Sequence, residues 1–283
     1  MDLSIITVNF NTRDLLRNCL ASIFNQKGIE CDVWVVDNAS GDGSVGMVEN
    51  DFPKVKLIKN KQNLGFSKAN NLALKKASGR FLFLLNSDTI FKDQTLAKIV
   101  DFLDKNPKIG ALGIKVLNPD GSPQPSVGKF YNLVGAFLML FGGERMGLLR
   151  SSPKKIREVD WVAGAALIIR REVLEKVGSL DENLFMYMEE VEWCFRIKKA
   201  GFRIFFYPEA EVVHYVRASG SKNAAILGIY KGLTYFYRKH EPLWKLLVLR
   251  TMLKTKAGLA WMIGFLSNNR YLKTTYAEAF HLA

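Results

Sequence analysis

The sequence predicts an α/β protein with a mostly parallel central sheet, helices on both faces, and a basic helical region at its C-terminal end. Short apolar runs, such as residues 3–8 and 80–85, alternate with segments of helical spacing. Strands this apolar are typical of a parallel sheet that is buried on both faces. After residue 215 the pattern changes to helical spacing with interleaved lysine and arginine. We therefore expect an α/β region, 1–215, and a basic amphipathic helical region, 216–283.

Each element is predicted from local spacing and from the Gly, Pro, Asn and Asp residues that interrupt it. The apolar run 130–143 has about fourteen residues, short of the roughly twenty that span a bilayer. It is either a core segment or a wall of an acceptor cleft, and we favour core. The strands are predicted at 3–8, 31–37, 55–60, 80–89 and 109–117. The helices are predicted at 15–24, 66–79 and 93–106, with a strand running into a helix at 160–178.

Composition and charge restrict the class of protein. The chain has 283 residues, 48% hydrophobic residues and a net charge of +13, of which residues 216–283 carry +9. A region this basic predicts an anionic partner or surface. The three cysteines form no CxxC pair, which suits reduced thiols and excludes a zinc pattern. We see no signal peptide before the first strand and expect a cytoplasmic protein.

Polar side chains follow several of the predicted strands. In open α/β sheets ligands bind beyond the carboxyl ends of the strands. No GxGxxG or GxxxxGK[ST] motif follows the first strand, which weakens a dinucleotide enzyme or a P-loop enzyme. The phosphates of a ligand would then have to be bound in another way, such as through a divalent cation coordinated by Asp88. Each polar residue alone also suits a turn. The set comprises Thr7, Asn9, Asp37, Asn38, Asn86 and Asp88.

The segment 180–215 combines three carboxylates with an imidazole. Glu189, Glu190 and Glu192 begin a predicted helix, and His214 ends the following strand. A carboxylate and an imidazole placed this way could face one cleft, the first as a base and the second as a metal ligand. The alternative is that the glutamates only favour the positive end of the helix dipole.

Six motifs in this order resemble glycosyltransferase family 2, particularly its rhamnosyltransferase-like bacterial members. The motifs are VNFN, VVDNAS, NLGFSKANN, LLNSDT, WVAGAALIIRR and the stretch from Leu180 to His214. The resemblance covers about residues 1–215 and implies a GT-A fold, a Rossmann-like α/β architecture that binds a nucleotide-sugar.

The resemblance also implies roles for individual residues. Asp88 and His214 would bind Mg²⁺ or Mn²⁺, Glu190 would be the base of an inverting reaction, and Glu189 would assist it. The implied nucleotide-binding residues are Thr7, Asn9, Asp37, Asn38, Asn63, Gly65, Asn70 and Ser87, with the loop at 63–70 closing over the diphosphate. We assign acceptor contacts to Trp161, Gly164, Ala165 and Glu192.

Two departures from the family pattern affect these expectations. The metal motif is Asn86-Ser87-Asp88, with one carboxylate missing, so metal affinity would depend more on the diphosphate and His214. A glutamate, Glu190, replaces the short aspartate base and has two acidic neighbours, which leaves the base open among three carboxylates. We expect a helix-start carboxylate to be well ionised.

Three functions are compatible with the whole chain. The favoured one is an inverting, metal-dependent transferase. It would move a sugar, such as L-rhamnose, from a dTDP- or UDP-sugar onto a cell-surface polysaccharide or lipid-linked glycan. The alternatives are a non-catalytic nucleotide-sugar or glycan-binding module and a nucleic-acid binder. The aromatic residues of the region 216–283 lie among aliphatic residues, which argues against nucleic-acid binding.

The basic tail has two interpretations. Basic helices with Trp and Phe lie at anionic bilayer surfaces. The alternative is that the helices pack on the catalytic domain and expose their lysines. The apolar run 257–266 is too short to span a membrane. We favour peripheral contact with the inner face of the cell membrane.

Overall fold

A large mixed sheet forms the centre of the protein. The computed structural model describes residues 1–92, 94–143, 147, 149–215 and 222–283. The main strands are β1 (Leu3–Asn9), β2 (Cys31–Asp37), β3 (Lys56–Lys59), β4 (Phe81–Leu85), β5 (Thr89–Phe91), β6 (Ile109–Leu117), β12 (Ala166–Arg170) and β13 (Arg203–His214). The short strands are β7 (Pro123–Gln124), β8 (Val127–Gly128), β9 (Arg150–Ser151), β10 (Arg157–Glu158) and β11 (Trp161–Val162).

The strand order is β10-β13-β6-β12-β4-β1-β2-β3, with β5 beside β13 and β7 beside β6. Parallel pairing joins β1 to β2 and β4, β2 to β3, and β6 to β13. The exception in the centre is β12, which runs antiparallel to both β4 and β6. Strands β11, β8 and β9 form a separate three-stranded sheet. The predicted mostly parallel sheet is confirmed, and strands and helices alternate from β1 to β4, whose pairs with one another are all parallel.

Helices cover both faces of the sheet, as predicted. Alternation along β1 sends Ile5 to one core and Ile6 to the other, because successive side chains of a strand point to opposite faces. The helices are α1 (Arg13–Phe24), α2 (Ser44–Asp51), α3 (Gly65–Leu74), α4 (Thr95–Lys105), α5 (Leu133–Leu140), α6 (Arg171–Val177) and α7 (Glu189–Lys199). The C-terminal helices are α8 (Lys222–His240), α9 (Leu243–Leu266) and α10 (Arg270–Leu282).

The C-terminal helices pack on the α/β region. Leu233, Phe236 and Tyr237 of α8 belong to the same core as the sheet, and Tyr237 Oη donates to the Tyr131 carbonyl at 2.8 Å. The predicted region boundary at 215/216 adjoins residues 216–221, which lie outside the described residues. Within the described chain, no helix is both long and apolar enough to cross a bilayer.

The apolar segment around α5 is part core and part surface. Ala136 and Leu140 are buried, which agrees with the predicted core segment. Val134 and Phe137 are exposed on the opposite side of the same short helix. A face of α5 therefore remains apolar and open to solvent.

Candidate active site

A narrow cleft of about 90 Å³ opens at the carboxyl ends of β1, β2 and β4. Five of the residues predicted to bind nucleotide or metal line it: Asn38, Asn63, Gly65, Ser87 and Asp88. They come from three separate loops of the chain. The crossover topology brings these loops together at one edge of the sheet, as expected for open α/β folds.

Three other predicted nucleotide residues lie buried behind this cleft. Asn9 donates from Nδ2 to Asp37 Oδ2 at 2.8 Å, and Ser40 N donates to Asp37 Oδ1 at 2.9 Å. Asp37 is 2% exposed and both of its oxygens accept hydrogen bonds within the protein. Thr7 is fully buried and its Oγ1 has no partner among the described residues. In this structure Asn9 and Asp37 fix the loops that follow β1 and β2.

The loop before α3 closes the cleft against the segment that leads into α7. Gly65 has φ +79°, and a Cβ there would lie 2.5 Å from both the ring and the carbonyl oxygen of Phe185. Phe66 N donates to that carbonyl at 2.7 Å. Asn70, expected in this loop, instead lies inside α3, is 1% exposed and bonds back to the Phe66 carbonyl. The placement of Asn70 in the loop was wrong, because the helix begins earlier, at Gly65.

The side chains of Asp88 and His214 are in contact, and Asp88 lines the cleft. His214 Nε2 lies 3.1 Å from Asp88 Oδ1, and the two side chains are 12% and 10% exposed. Gln124 Oε1 lies 2.8 Å from His214 Nδ1, while Gln124 Nε2 donates to Asn118 Oδ1 at 3.1 Å. Because the amide nitrogen is used by Asn118, the oxygen faces the imidazole, and Nδ1 is the donor. In the neutral imidazole Nε2 then carries the lone pair, which faces Asp88 Oδ1 and also the amide nitrogen of Asn86 at 3.3 Å.

These two residues fit a divalent cation in part. Two electron-donating atoms facing each other are stabilised by a cation between them, and imidazole nitrogen and carboxylate oxygen are both ordinary ligands of such ions. In the described part of the chain, no three His, Cys, Asp or Glu side chains converge on one point. A cation held here would therefore take its remaining ligands from substrate oxygens and water.

The acidic cluster begins α7, as predicted. The chain enters the helix through Tyr187 and Met188, whose φ angles are +72° and +71°. Such left-handed conformations are unfavourable for large side chains and are typical of functional segments. Glu189 is 5% exposed, and the next residue, Glu190, has its Cβ 3.9 Å from a Cβ built on Gly164. Oε2 of each glutamate is buried and has no hydrogen-bond partner among the described residues.

Burial, rather than the helix dipole, dominates the ionisation of this pair. Burial and the neighbouring Glu190 charge raise the pKa of Glu189 well above its usual range. Burial also raises the pKa of Glu190, but two backbone N–H groups and the Arg150 guanidinium oppose that rise. The expectation of a well-ionised helix-start carboxylate was therefore wrong. Desolvation of a carboxylate outweighs the benefit of the helix N-terminus at this depth.

Glu192 is directed away from the other two carboxylates. It is fully buried and accepts from Arg196 Nε at 2.9 Å, from Lys239 Nζ at 2.7 Å and from His240 Nε2 at 3.0 Å. With both oxygens occupied, this side chain joins α7 to α8. We do not retain Glu192 as an acceptor ligand.

The other predicted acceptor residues lie on the segment behind Glu190. Trp161 is 1% exposed and donates from Nε1 to the Lys129 carbonyl at 2.9 Å, so its ring supports the wall from inside. Gly164 faces Phe66, with 3.3 Å from a built Cβ to the ring. The Ala165 carbonyl accepts from Asn86 N at 3.1 Å. Gly164 and Ala165 thus lie between the cleft and the acidic pair.

Sequence reasoning missed several residues that complete the site. Gln124 orients His214, Arg150 lies near Glu190, and Phe66 forms part of the cleft wall. Gln124 and Arg150 belong to two-residue strands, for which local spacing gives no signal.

Comparison with known proteins matches this geometry. Residues 4–178 match the family model described as glycosyl transferase family 2. The chain is 27% identical over 268 residues to the N-acetylglucosaminyl-diphospho-decaprenol L-rhamnosyltransferase of Mycobacterium tuberculosis, covering 86% of each chain. It is 26% identical over 161 residues to rhamnosyltransferase WbbL of Escherichia coli K12, covering 53% of this chain and 61% of that one.

Solved structures show the same fold. TarS 1–349 of S. aureus, in complex with UDP-GlcNAc, aligns with a TM-score of 0.61 at 20% identity, over 99% of this chain and 79% of that one. The mannosyltransferase PcManGT of Pyrobaculum calidifontis, in complex with GDP-Man and Mn²⁺, aligns with a TM-score of 0.58 at 19% identity. That alignment covers 99% of this chain and 84% of the other. The predicted GT-A fold is confirmed.

Proposed function

The chain belongs to glycosyltransferase family 2, and we propose that it is an inverting, metal-dependent transferase that glycosylates a lipid-linked glycan. The observation that carries this proposal is the buried Glu189–Glu190 pair beside the donor cleft, with Oε2 of each carboxylate unpaired among the described residues. Inverting transfer is a direct displacement at the anomeric carbon, in which a base removes the proton of the attacking hydroxyl. A carboxylate of raised basicity next to a nucleotide-sugar cleft suits that step.

Glu190 is the base in this proposal, and Glu189 is the residue that retains a proton. Two close carboxylates do not readily ionise together, so they share a proton over a wide pH range. Burial is deeper at Glu189, while Arg150 and two backbone N–H groups favour the charged form of Glu190. The environments thus separate the two roles, which is the usual signature of an acid–base pair.

Asp88 and His214 would hold the cation, Mg²⁺ or Mn²⁺. When bound, such a cation offsets the negative charge that develops on the leaving nucleoside diphosphate. Gln124 holds the imidazole tautomer that can act as a ligand. The structure of PcManGT contains Mn²⁺ with its GDP-sugar, which is consistent with this assignment.

The donor and acceptor are proposed from the relatives. The M. tuberculosis relative is named for transfer of L-rhamnose to a diphospho-decaprenol-linked sugar, and the E. coli relative is also a rhamnosyltransferase. We therefore propose a dTDP- or UDP-linked donor sugar, with L-rhamnose the first to test. The acceptor would be a prenyl-diphosphate-linked glycan of a cell-surface polysaccharide.

Contact with the membrane is proposed for the outer face of α9. Its last two turns expose Trp261, Ile263, Phe265 and Leu266 by 43%, 55%, 62% and 77%. Exposed apolar surface of this kind marks an interaction site. The surrounding positive charge suits anionic lipid. This placement would keep the enzyme peripheral on the inner face of the membrane, beside its acceptor.

The decisive experiment screens dTDP-, UDP- and GDP-sugars for turnover with Mn²⁺, first with water and then with a prenyl-diphosphate-linked sugar as acceptor. We expect one nucleotide class to be hydrolysed slowly and to be transferred faster when the acceptor is present. Product stereochemistry by NMR then tests inversion. Binding of a nucleotide-sugar without any turnover would support the non-catalytic module instead.

A further inference from the structure

A larger cavity adjoins the donor cleft on the side of α8. It has a volume of about 550 Å³ and lies between α8 and the loop 183–187. Its walls are largely apolar, from Leu184, Leu227 and the ring of Tyr235. The size lies within the range of ligand sites in proteins. Nothing in the donor-side chemistry uses this cavity.

One face of α8 supplies polar groups to this cavity. Lys231, Thr234 and Arg238 line it at the i, i+3, i+7 spacing of one helix face. Thr234 is 6% exposed, and its Oγ1 has no hydrogen-bond partner among the described residues. A buried hydroxyl without a partner is costly, which points to a ligand atom in the functional state.

The two positively charged side chains of this face, Lys231 and Arg238, can bind an anionic ligand. Within the described part of the chain, no carboxylate forms an ion pair with Lys231 or Arg238. The adjacent Lys239 contrasts with them, since it is bound to Asp181 at 2.6 Å and to Glu192 at 2.7 Å. Lys231 and Arg238 lie seven residues apart, about 10 Å along the helix, which allows both to contact one extended anionic group.

The cavity and the donor cleft share a wall. Phe185 and Met186 line both of them. The Phe185 carbonyl is fixed on one side by Phe66 N at 2.7 Å. On the other side the loop contacts α8 so closely that a Cβ at Gly228 would lie 2.5 Å from the Tyr187 ring. A ligand in the cavity is therefore held one residue layer from the donor and next to the start of α7.

We propose that this cavity binds the diphosphate and the first prenyl units of the acceptor lipid. Lys231 and Arg238 bind the diphosphate, the Thr234 hydroxyl donates to it, and Leu184 and Leu227 contact the prenyl chain. Arg and Lys both form strong charge-assisted bonds to phosphate oxygens. The acceptor sugar then extends past Met186 towards Glu190. This inference rests on the proposed function and specifies its acceptor site.

The test measures binding of a short probe, farnesyl diphosphate, to the whole 283-residue chain by calorimetry. EDTA is present throughout, so that a cation on Asp88 cannot bind the diphosphate. Farnesol and inorganic diphosphate are titrated separately, so that the affinities for the prenyl chain and for the diphosphate are each measured. The variants are Lys231→Gln/Arg238→Gln and Thr234→Val. The matched control, Lys254→Gln/Arg270→Gln, removes the same charge from exposed positions of α9 and α10 outside the cavity.

We expect farnesyl diphosphate to bind at least about tenfold more tightly than farnesol or inorganic diphosphate. The Lys231→Gln/Arg238→Gln variant should weaken this binding at least about tenfold, since it removes two charge-assisted contacts to phosphate oxygens. Thr234→Val should weaken it several-fold, and the control should stay within about twofold of wild type. Circular dichroism confirms that each variant is folded.

Three results would overturn the inference. Equal affinity of wild type and the Lys231→Gln/Arg238→Gln variant would place the diphosphate elsewhere. Equal affinity for inorganic diphosphate would remove the lipid from the site. Absence of binding in a protein that hydrolyses a nucleotide-sugar would reject the cavity while leaving the proposed function intact. Absence of nucleotide-sugar turnover as well would reject the proposed function itself.

Discussion

His214 Nε2 lies 3.1 Å from Asp88 Oδ1, although the two residues are separated by 126 positions in the sequence. The contact forms because β13 pairs antiparallel with β5, which places His214 opposite Thr89. Gln124 then fixes the imidazole from the other side at 2.8 Å. The arrangement presents one lone pair and one carboxylate oxygen to the same point beside the donor cleft.

Removal of the carboxylate tests the role of the cation directly. Asp88→Ala should abolish transfer, and EDTA should silence the wild type until Mn²⁺ is added back, because the leaving diphosphate then lacks its counter-charge. The measurement is transfer of labelled sugar. Glu175→Ala, at an exposed carboxylate of α6, is the matched control. Full activity in EDTA would exclude the cation from the reaction.

Gln124→Leu should weaken Mn²⁺ affinity by about 10- to 100-fold, the usual effect of removing a residue that orients a metal-binding histidine. Leucine keeps the volume but cannot accept from Nδ1. Calorimetric titration of Mn²⁺ in the presence of nucleoside diphosphate measures the affinity without turnover. Gln124→Glu restores an acceptor and should recover much of the loss. Unchanged affinity in the leucine variant would show that the imidazole needs no orientation.

Glu190→Gln should lower kcat by about 10²- to 10⁴-fold while donor affinity persists, because the amide keeps the shape but cannot accept the proton. Glu189→Gln should reduce kcat less. It should leave the acidic limb of the kcat/KM profile close to its wild-type pH, since Glu190 ionises while Glu189 is still protonated and neutral. Near-normal kcat in Glu190→Gln with an inactive Glu189→Gln would reverse the assignment.

The sequence was sufficient for features that depend on neighbouring residues. The apolar runs locate β1, β2, β4 and β6 because a buried strand must be apolar throughout, and the acidic first turn locates the start of α7. The sequence also placed polar residues at the correct edge of the sheet. Both results follow from local patterning and from the rule that the carboxyl ends of parallel strands lie at the same edge of a sheet.

Features that depend on distant segments could not be predicted. The raised pKa of Glu189 follows from burial by other parts of the fold, and no local pattern reports it. Glu192 lies in the same acidic turn, yet its partners Lys239 and His240 come from α8. The three glutamates look alike in sequence and differ only through the tertiary structure.

We expect the exposed apolar residues of α9 to contribute to membrane binding. Trp261→Ser/Phe265→Ser should reduce co-sedimentation with anionic liposomes, since the two rings stack with centroids 5.7 Å apart and are both exposed. Phe24→Ser, which removes an exposed aromatic from α1, should have no effect. High salt should release part of the wild type by screening its charge. Removal of residues 225–283 is unsuitable, because Phe236 and Tyr237 belong to the core.

Equal liposome binding by wild type and the Trp261→Ser/Phe265→Ser variant would show that this face of α9 does not touch lipid. If wild type itself fails to sediment, the C-terminal helices serve packing or oligomerisation instead. Gel filtration of the same samples distinguishes these two roles.

Glu189 should also make the protein less stable as the pH rises. Its pKa in the folded state is raised above the ordinary value of 4.5 by burial and by Glu190. Below pH 4.5 both the folded and the unfolded chain hold this proton, so the residue has no pH-dependent cost. Above that pH the unfolded chain releases the proton first, and the free energy of unfolding falls until the folded pKa is passed.

Glu189→Gln removes this titration and should therefore be stabilising at pH 8 but not at pH 5. We expect a gain of about 1 kcal/mol or more at pH 8, since each unit of raised pKa corresponds to about 1.4 kcal/mol. Urea unfolding at the two pH values measures it, with Glu175→Gln, an exposed glutamate on α6, as the control. A difference from wild type that is the same at both pH values would mean that Glu189 ionises normally in the fold. The acid–base division between Glu189 and Glu190 would then lose its physical basis.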